Sequence, residues 1–223
     1  SKQRKRVQMG IQIAHFPTTK SLDDFDFKFQ PGVDQKLIRE LSTGRFVHSA
    51  ENVLLFGPPG VGKTHLAIGL GRACIEAGYT VLFTSATALI TALAKAEAEG
   101  KVEEKLSFYT KPKLLIVDEL GYLPFERRSA HLFFQLIARR YEKGSTLITT
   151  NQAVIHWGTV FGDEVIAAAI LDRLLHHSHV LTIRGDSYRL REKRRSGLIR
   201  PQAGGSSSPD SAGLRPPPPS EEA

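Results

Sequence analysis

Cysteine, methionine and tryptophan each occur once in the 223 residues, at Cys74, Met9 and Trp157. One cysteine cannot build an internal disulfide framework, so a reducing, cytoplasmic setting is expected. Long apolar runs are also missing. The long uncharged stretch 77–94 is broken by four threonines, a serine and a glycine. That is too polar for a transmembrane helix, and no membrane partner is expected. No apolar segment near the start has the form of a secretory leader. The chain opens at Ser1 with its sole methionine at position 9, so a trimmed N-terminus is expected.

What is present is an ordinary globular composition, 41% hydrophobic and 24% charged, on a chain long enough to bury its own core. Thirty Lys+Arg against 23 Asp+Glu give a net charge of +7. The excess is uneven. Residues 1–6 carry +4 and residues 184–200 carry +5, whereas 7–183 sum to zero and 201–223 to −2. Basic flanks around a neutral body point to a polyanion, nucleic acid before membrane, with solvated chain ends as the plain alternative. Residues 201–223 hold six of the twelve prolines. Such a segment cannot bury enough apolar surface to order itself, and 196–223 is expected to be a disordered tail.

Between the flanks, strand-like and helix-like runs alternate. Asn52–Phe56 is a short apolar run ending at Gly57, and 64–77 is helical in pattern. A β-branched and aromatic run at 80–84 leads into a helix over 85–99, with Ser85 as its N-cap. Apolar runs at 113–117, 145–150 and 179–183 alternate with helical patterns at 127–143 and 164–177. Five such runs separated by helices imply an α/β fold, a parallel sheet covered on both faces.

Gly57, Pro58, Pro59, Gly60, Val61, Gly62, Lys63 and Thr64 match G-x-x-x-x-G-K-[ST] at every fixed position, with a strand before and a helix after. The glycines let backbone N–H groups turn inward around phosphate oxygens. The helix that follows adds its positive N-terminal end. Lys63 can neutralise the β- and γ-phosphates, and the Thr64 hydroxyl can ligate Mg²⁺. A partner carboxylate is expected on a neighbouring strand. Residues 114–117 are four apolar residues that deliver Asp118 and Glu119 at a strand end, where ligands bind in open α/β sheets. Asp118 is expected to hold Mg²⁺ through water, and Glu119 to polarise the attacking water as general base. Asn151 ends a further apolar strand, where a neutral amide can orient water or touch the γ-phosphate; a turn-forming Asn is the plain alternative. Asp172 and Arg173 interrupt an apolar helical stripe. Arg173 is either half of a local ion pair or an arginine finger reaching a neighbouring subunit's nucleotide.

These motifs occur within longer runs: FDFKFQP (25–31), ENVLLFGPPGVGKTHLAIGLG (51–71), LLIVDELGYLP (114–124), LITTNQ (147–152), VFGDEV (160–165) and ILDRLLHHSHVLTIRGDSYRLR (170–191). Over roughly residues 15–195 the chain resembles the IstB-type AAA+ ATPases, helpers of insertion-sequence transposition. Helicase loaders of the DnaC type share GKTHLA and the overall plan. The resemblance implies an AAA+ P-loop NTPase, a three-layer sandwich on a five-stranded parallel sheet without a full lid domain. It implies ATP and Mg²⁺ as cofactors, with His65 joining the nucleotide-binding set. It implies a homo-oligomer with DNA-stimulated ATPase activity that assembles on duplex DNA and assists the transposase of the same element. Asn151 matches the sensor-1 position and Arg173 the arginine finger; Arg189 or Arg191 is a candidate sensor-2 arginine. Family members carry a helical domain before this core, and residues 1–20 are read as a basic linker left from it, with 21–195 as the ATPase domain. The alternatives are a helicase loader with the same chemistry, a nucleotide-gated DNA scaffold and, from another class, a small-molecule P-loop kinase.

Two basic groups are candidates for DNA phosphates. Lys95, Lys101 and Lys105 lie where related initiators and loaders face DNA, although glutamates are interspersed. Arg189, Arg191, Lys193, Arg194 and Arg195 form a denser cluster. Nothing resembles a base-reading module, so little sequence preference is expected. The run His176, His177 and His179 lacks a carboxylate or cysteine at ligand spacing, and the preference of helix C-termini for His accounts for it better than a metal site. Alternation at Phe25, Phe27 and Phe29 reads as core packing, with contact to the adenine as the sharper alternative.

Overall fold

A computed structural model describes residues 2–196; the tail expected over 196–223 therefore lies, apart from Ser196, outside the described residues. Five strands, β1 (Asn52–Phe56), β2 (Val81–Ser85), β3 (Leu114–Leu120), β4 (Ser145–Thr150) and β5 (Ser178–Thr182), form one sheet in the order β2-β3-β4-β1-β5. All four pairings are parallel. The alternation of side chains along each strand sorts the core into two layers. Val53 and Leu55 of β1, with Leu114 and Ile116 of β3, face one side; Leu54, Phe56, Leu115 and Val117 face the other. This is why the strands read as continuous apolar runs rather than alternating ones.

The first layer is covered by α1 (Lys2–Ala14), α2 (Gln35–Ser42), the short α3 (Arg45–His48) and α4 (Lys63–Glu76). The second is covered by α5 (Ala86–Ala98), α6 (Val102–Thr110), α7 (Arg127–Arg140), α8 (Trp157–Phe161) and α9 (Glu164–His176). A last helix, α10 (Tyr188–Arg195), buries none of its residues. Among the described residues no helix is long and apolar enough to cross a membrane.

Local chemistry explains most boundaries. Ser85 caps α5, its hydroxyl accepting from the Ala88 N–H at 3.1 Å. Asp163 caps α9 by accepting from the N–H groups of Val165 and Ile166. The helix expected over 127–143 stops at Arg140. The N–H groups of Lys143 and Gly144 both turn back to the Arg140 carbonyl, and Glu142 takes a left-handed φ of +57°. Strand β3 runs past the expected end at residue 117, through an irregularity between Val117 and Leu120. Within 1–20, read as a linker, the structure places α1. Val7, Gly10, Ile11 and Ala14 recur at helical spacing and dock on α4 and β2, with Gly10 closing directly onto Ile75. Lys2, Arg4, Lys5 and Arg6 stay exposed.

Candidate nucleotide-binding site

The loop after β1 wraps the N-terminus of α4 at the C-terminal edge of the sheet. Gly60 and Gly62 have φ of +84° and +100°, a region that favours glycine. Space forbids a side chain there too: a Cβ on Gly62 would meet the Phe25 ring at 2.6 Å, and one on Gly60 would collide with Ser187. Lys63 is buried and donates to the Gly57 and Pro58 carbonyls at 2.7 and 2.8 Å. Burial pushes its ammonium pKa down, Asp118 and Glu119 oppose that shift, and Arg189 adds to it.

Asp118 does not come from the strand next to the loop, as expected. Strand β4 lies between β1 and β3. The Thr64 hydroxyl nevertheless reaches both oxygens of the Asp118 carboxylate, at 2.9 and 3.0 Å. The intervening strand supplies Thr149, a residue the motifs did not flag. It is fully buried, its hydroxyl lies 2.5 Å from Asp118 Oδ1, and it accepts from the Glu119 N–H at 2.9 Å. Glu119 itself is exposed and has a left-handed φ of +61°. A non-glycine residue held there is strained, and irregular strand ends serve to re-aim a side chain. The irregularity of β3 turns the Glu119 carboxylate toward the loop while Asp118 stays pinned below it.

Lys63, Thr64, Thr149 and Glu119 border a cavity of about 410 Å³, within the size range of small-molecule sites. Gly60, Val61, Gly62, Lys63, Thr64 and His65 line it. Gly57, Pro58 and Pro59 stand behind, holding Lys63 through two of their carbonyls. The opposite wall is a strap over 18–30. It is tied down by the Ser21 carbonyl against His65 Nε2 at 2.6 Å and by Arg72 donating to the Thr19 carbonyl at 2.9 Å. Burial lowers the His65 pKa. Phe25 is both core and wall: it is buried, packs edge-on to Phe27 and His65, and borders the cavity. The third wall is the start of α10. The Tyr188 N–H donates to the Gly60 carbonyl at 3.0 Å, and Tyr188, Arg189 and Glu192 face the cavity. Of the two candidate sensor-2 arginines, Arg189 is the one the fold brings to the cavity. Arg191 lies instead over the Phe29 ring at 4.3 Å.

Two candidates stand away from the cavity. Asn151 follows the end of β4 and does not border it; its buried Oδ1 has no hydrogen-bond partner. Arg173 lies on α9, donating to the Ala169 carbonyl and stacking on Phe134 at 4.8 Å. The DNA candidates are split. Lys95, Lys101 and Lys105 belong to α5 and α6 and the link between them, beside the edge strand β2, whereas Arg189, Arg191, Lys193, Arg194 and Arg195 lie on α10, which follows the opposite edge strand β5. Glu97 and Glu103 near the first group are ion-paired to Arg128 and Arg139 of α7, so those acids do not neutralise Lys101 and Lys105.

The donor set suits a magnesium nucleotide: a hydroxyl and a buried carboxylate side by side, one buried ammonium, and inward-turned backbone N–H groups. Comparison with known proteins agrees on the nucleotide. Residues 1–196 match the family described as IstB-like ATP binding protein. An insertion sequence IS21 ATP-binding protein of Pseudomonas aeruginosa is 50% identical over 196 residues, 88% of this chain and 74% of that one. An IS5376 ATP-binding protein of Geobacillus stearothermophilus is 49% identical over 193 residues, 86% of this chain and 77% of that one. Among solved structures, a DnaC helicase loader superposes with a TM-score of 0.59 at 26% identity, over 74% of this chain and 96% of that one. AMPPCP-bound DnaA from Aquifex aeolicus superposes at 0.65 and 17% identity, over 83% of this chain and 57% of that one, a likeness of fold.

Proposed function

The chain belongs to the IstB-like ATP-binding proteins of the AAA+ P-loop fold, and from that premise we propose that it hydrolyses ATP, assembles as a homo-oligomer on duplex DNA and assists the transposase of its insertion sequence. The observation that carries the hydrolytic part is the cluster of Lys63, Thr64, Thr149 and Glu119 around one cavity, with Asp118 bonded behind Thr64 and Thr149. Lys63 exchanges its bonds to the Gly57 and Pro58 carbonyls for phosphate oxygens. Thr64 and Asp118 would hold Mg²⁺, which when bound supplies positive charge to the phosphates. Glu119, carried on its irregular strand end, accepts the proton of the attacking water. Arg189 lends charge from the α10 wall. Arg173, pointing away from its own cavity, serves the nucleotide of a neighbouring copy, and Asn151 is available to order water from the end of β4. The nonspecific grip on DNA phosphates is assigned to the basic surfaces of α10 and of α5 with α6.

The helicase-loader reading keeps the same chemistry and has the DnaC likeness in its favour. Relatives named for insertion sequences, at 49–50% identity, favour the transposase. Steady-state ATPase assays with duplex DNA, and mixing of Lys63→Ala with Arg173→Ala protein, test the proposal. Glu119→Gln should bind ATP and lose turnover by at least about a hundredfold. The mixture should regain activity that neither variant shows alone. ATPase unaffected by Arg173→Ala would remove the trans assignment. Pull-down of the transposase or of the replicative helicase from purified components separates the two partner readings.

A further inference from the structure

The histidine run at the end of α9 reads in sequence as a helix C-terminus, but the fold brings a further carboxylate against it. The turn between α7 and β4 brings Glu142 against it. Glu142 Oε1 lies 3.5 Å from His177 Nε2 and 4.0 Å from His176 Nδ1. One ligand atom from each of the three residues falls within 4.8 Å of the others. We propose that Glu142, His176 and His177 form a surface site for one divalent transition-metal ion of the zinc class.

Distances, donor chemistry and support from the fold carry the assignment. Ligands about 2.0–2.2 Å from a tetrahedral ion stand about 3.3 Å apart. The observed separations need to close by less than about 1.5 Å, which exposed side chains achieve by small rotations. Two imidazoles with one carboxylate suit zinc, nickel or copper. They do not suit magnesium or calcium, which take oxygen ligands. Three protein ligands leave a fourth position open to water or another donor.

The three residues are held from outside the cluster. The Tyr141 and His176 rings stack with centroids 5.8 Å apart, and the Tyr141 hydroxyl, 2.5 Å from His176 Nδ1, has to turn off that nitrogen for it to take an ion. The His176 and His177 rings lie 4.0 Å apart, tilted. Glu142 belongs to the turn that closes on Arg140, whose buried guanidinium bonds the carbonyls around it. His179 takes a different partner, Glu51, at 2.6 Å, and is not part of the site. The contrary account is an exposed carboxylate drawing two imidazoles together, with no ion involved.

Untagged protein, stripped with chelator and kept in excess Mg²⁺ so that Thr64 and Asp118 do not compete, should be titrated with Zn²⁺ by calorimetry and with Co²⁺ by visible absorption. One equivalent is expected to bind. Glu142→Gln and His177→Ala should each weaken binding by at least about tenfold, and His179→Ala should not. Zn²⁺ should raise the thermal midpoint of the unsubstituted protein and not that of His177→Ala, with ATP affinity the same in both as the check on folding. Absence of a saturable equivalent overturns the site. So does affinity unaltered by Glu142→Gln and His177→Ala, or equal loss on His179→Ala.

Discussion

Thr149 has one hydroxyl and three duties: it meets the Asp118 carboxylate, accepts from the Glu119 N–H, and borders the cavity. Replacing it by valine keeps the shape and removes the link. Asp118 then loses a charge-assisted bond, and the strained Glu119 backbone loses its anchor. Thr149→Val should lower kcat by about ten- to a hundredfold with ATP affinity little changed, and Thr149→Ser should recover most of it. A parallel fall in ATP affinity would mean that the hydroxyl supports the pocket rather than the reacting groups. His65 is the pH-sensitive member of the wall. Burial lowers its pKa below the ordinary 6.5, so the folded chain prefers the neutral ring. The stability this contributes is complete above pH 6.5 and declines as pH falls through that value toward the lower folded pKa. The thermal midpoint should drop more between pH 7 and 5 in the unsubstituted protein than in His65→Asn, as scanning calorimetry at each pH would show.

At the scale of elements, the joint between α6, α7 and β4 rests on one buried side chain. Arg140 is 1% exposed, and among the described residues its partners are carbonyls and a hydroxyl, not a carboxylate. Its guanidinium donates to the carbonyls of Tyr109, Thr110, Pro112, Lys113 and Ser145 and to the Thr146 hydroxyl. Burial lowers its pKa to about 10, still well above neutral pH. Arg140→Met would leave several carbonyls unpaired, so we expect a loss of about 3 kcal/mol, a fall in the thermal midpoint of roughly 6–12 °C. Nothing in the chain's pattern marked Arg140, because a second arginine at a helix end looks like surface charge. The same limit governs the rest of the reading. All five strands and the helices α4, α5, α7 and α9 were legible, since β1, β3 and β4 are buried almost throughout and Ser85 is a plain cap, whereas α1, α2, α6 and α10 were not marked. The phosphate loop and Asp118 were legible because they are contiguous motifs. Of the strap over 18–30 and the α10 wall only Phe25 and Arg189 were marked, as alternatives, and Thr149 was not singled out. They reach the cavity through strand order and loop closure, and strand β4 enters between β1 and β3 without any local signal. Glu119 illustrates the same point: its position was readable, whereas the positive φ that aims it was not.

Over the whole molecule the charge divides by edge. The α10 cluster and the lysines of α5 and α6 flank opposite ends of the sheet, so one chain presents two separate basic faces rather than one. Neutralised phosphates release counterions, and each lost contact lowers the slope of log K against log salt by about 0.9. Arg194→Glu with Arg195→Glu should therefore flatten the salt dependence of duplex binding by about two such steps or more, as measured by anisotropy across salt concentrations. Lys101→Glu with Lys105→Glu should do the same only if both faces touch the duplex.

The contact from Gln30 to the Asp186 carbonyl, 2.9 Å long, joins positions 156 residues apart. Next to it, Ser187 presses on Gly60. The chamber is thus closed by the two ends of the described chain, while its floor is made in the middle. During synthesis the floor emerges early: loop, β1 and α4 exist long before β5 and α10 leave the ribosome. Until those last residues arrive, a nascent chain has a phosphate loop with one wall missing. The full chamber is therefore completed only once α10 has emerged, in one closing event of high contact order, and removal of the strap over 18–30 or of α10 would open it without touching the motif.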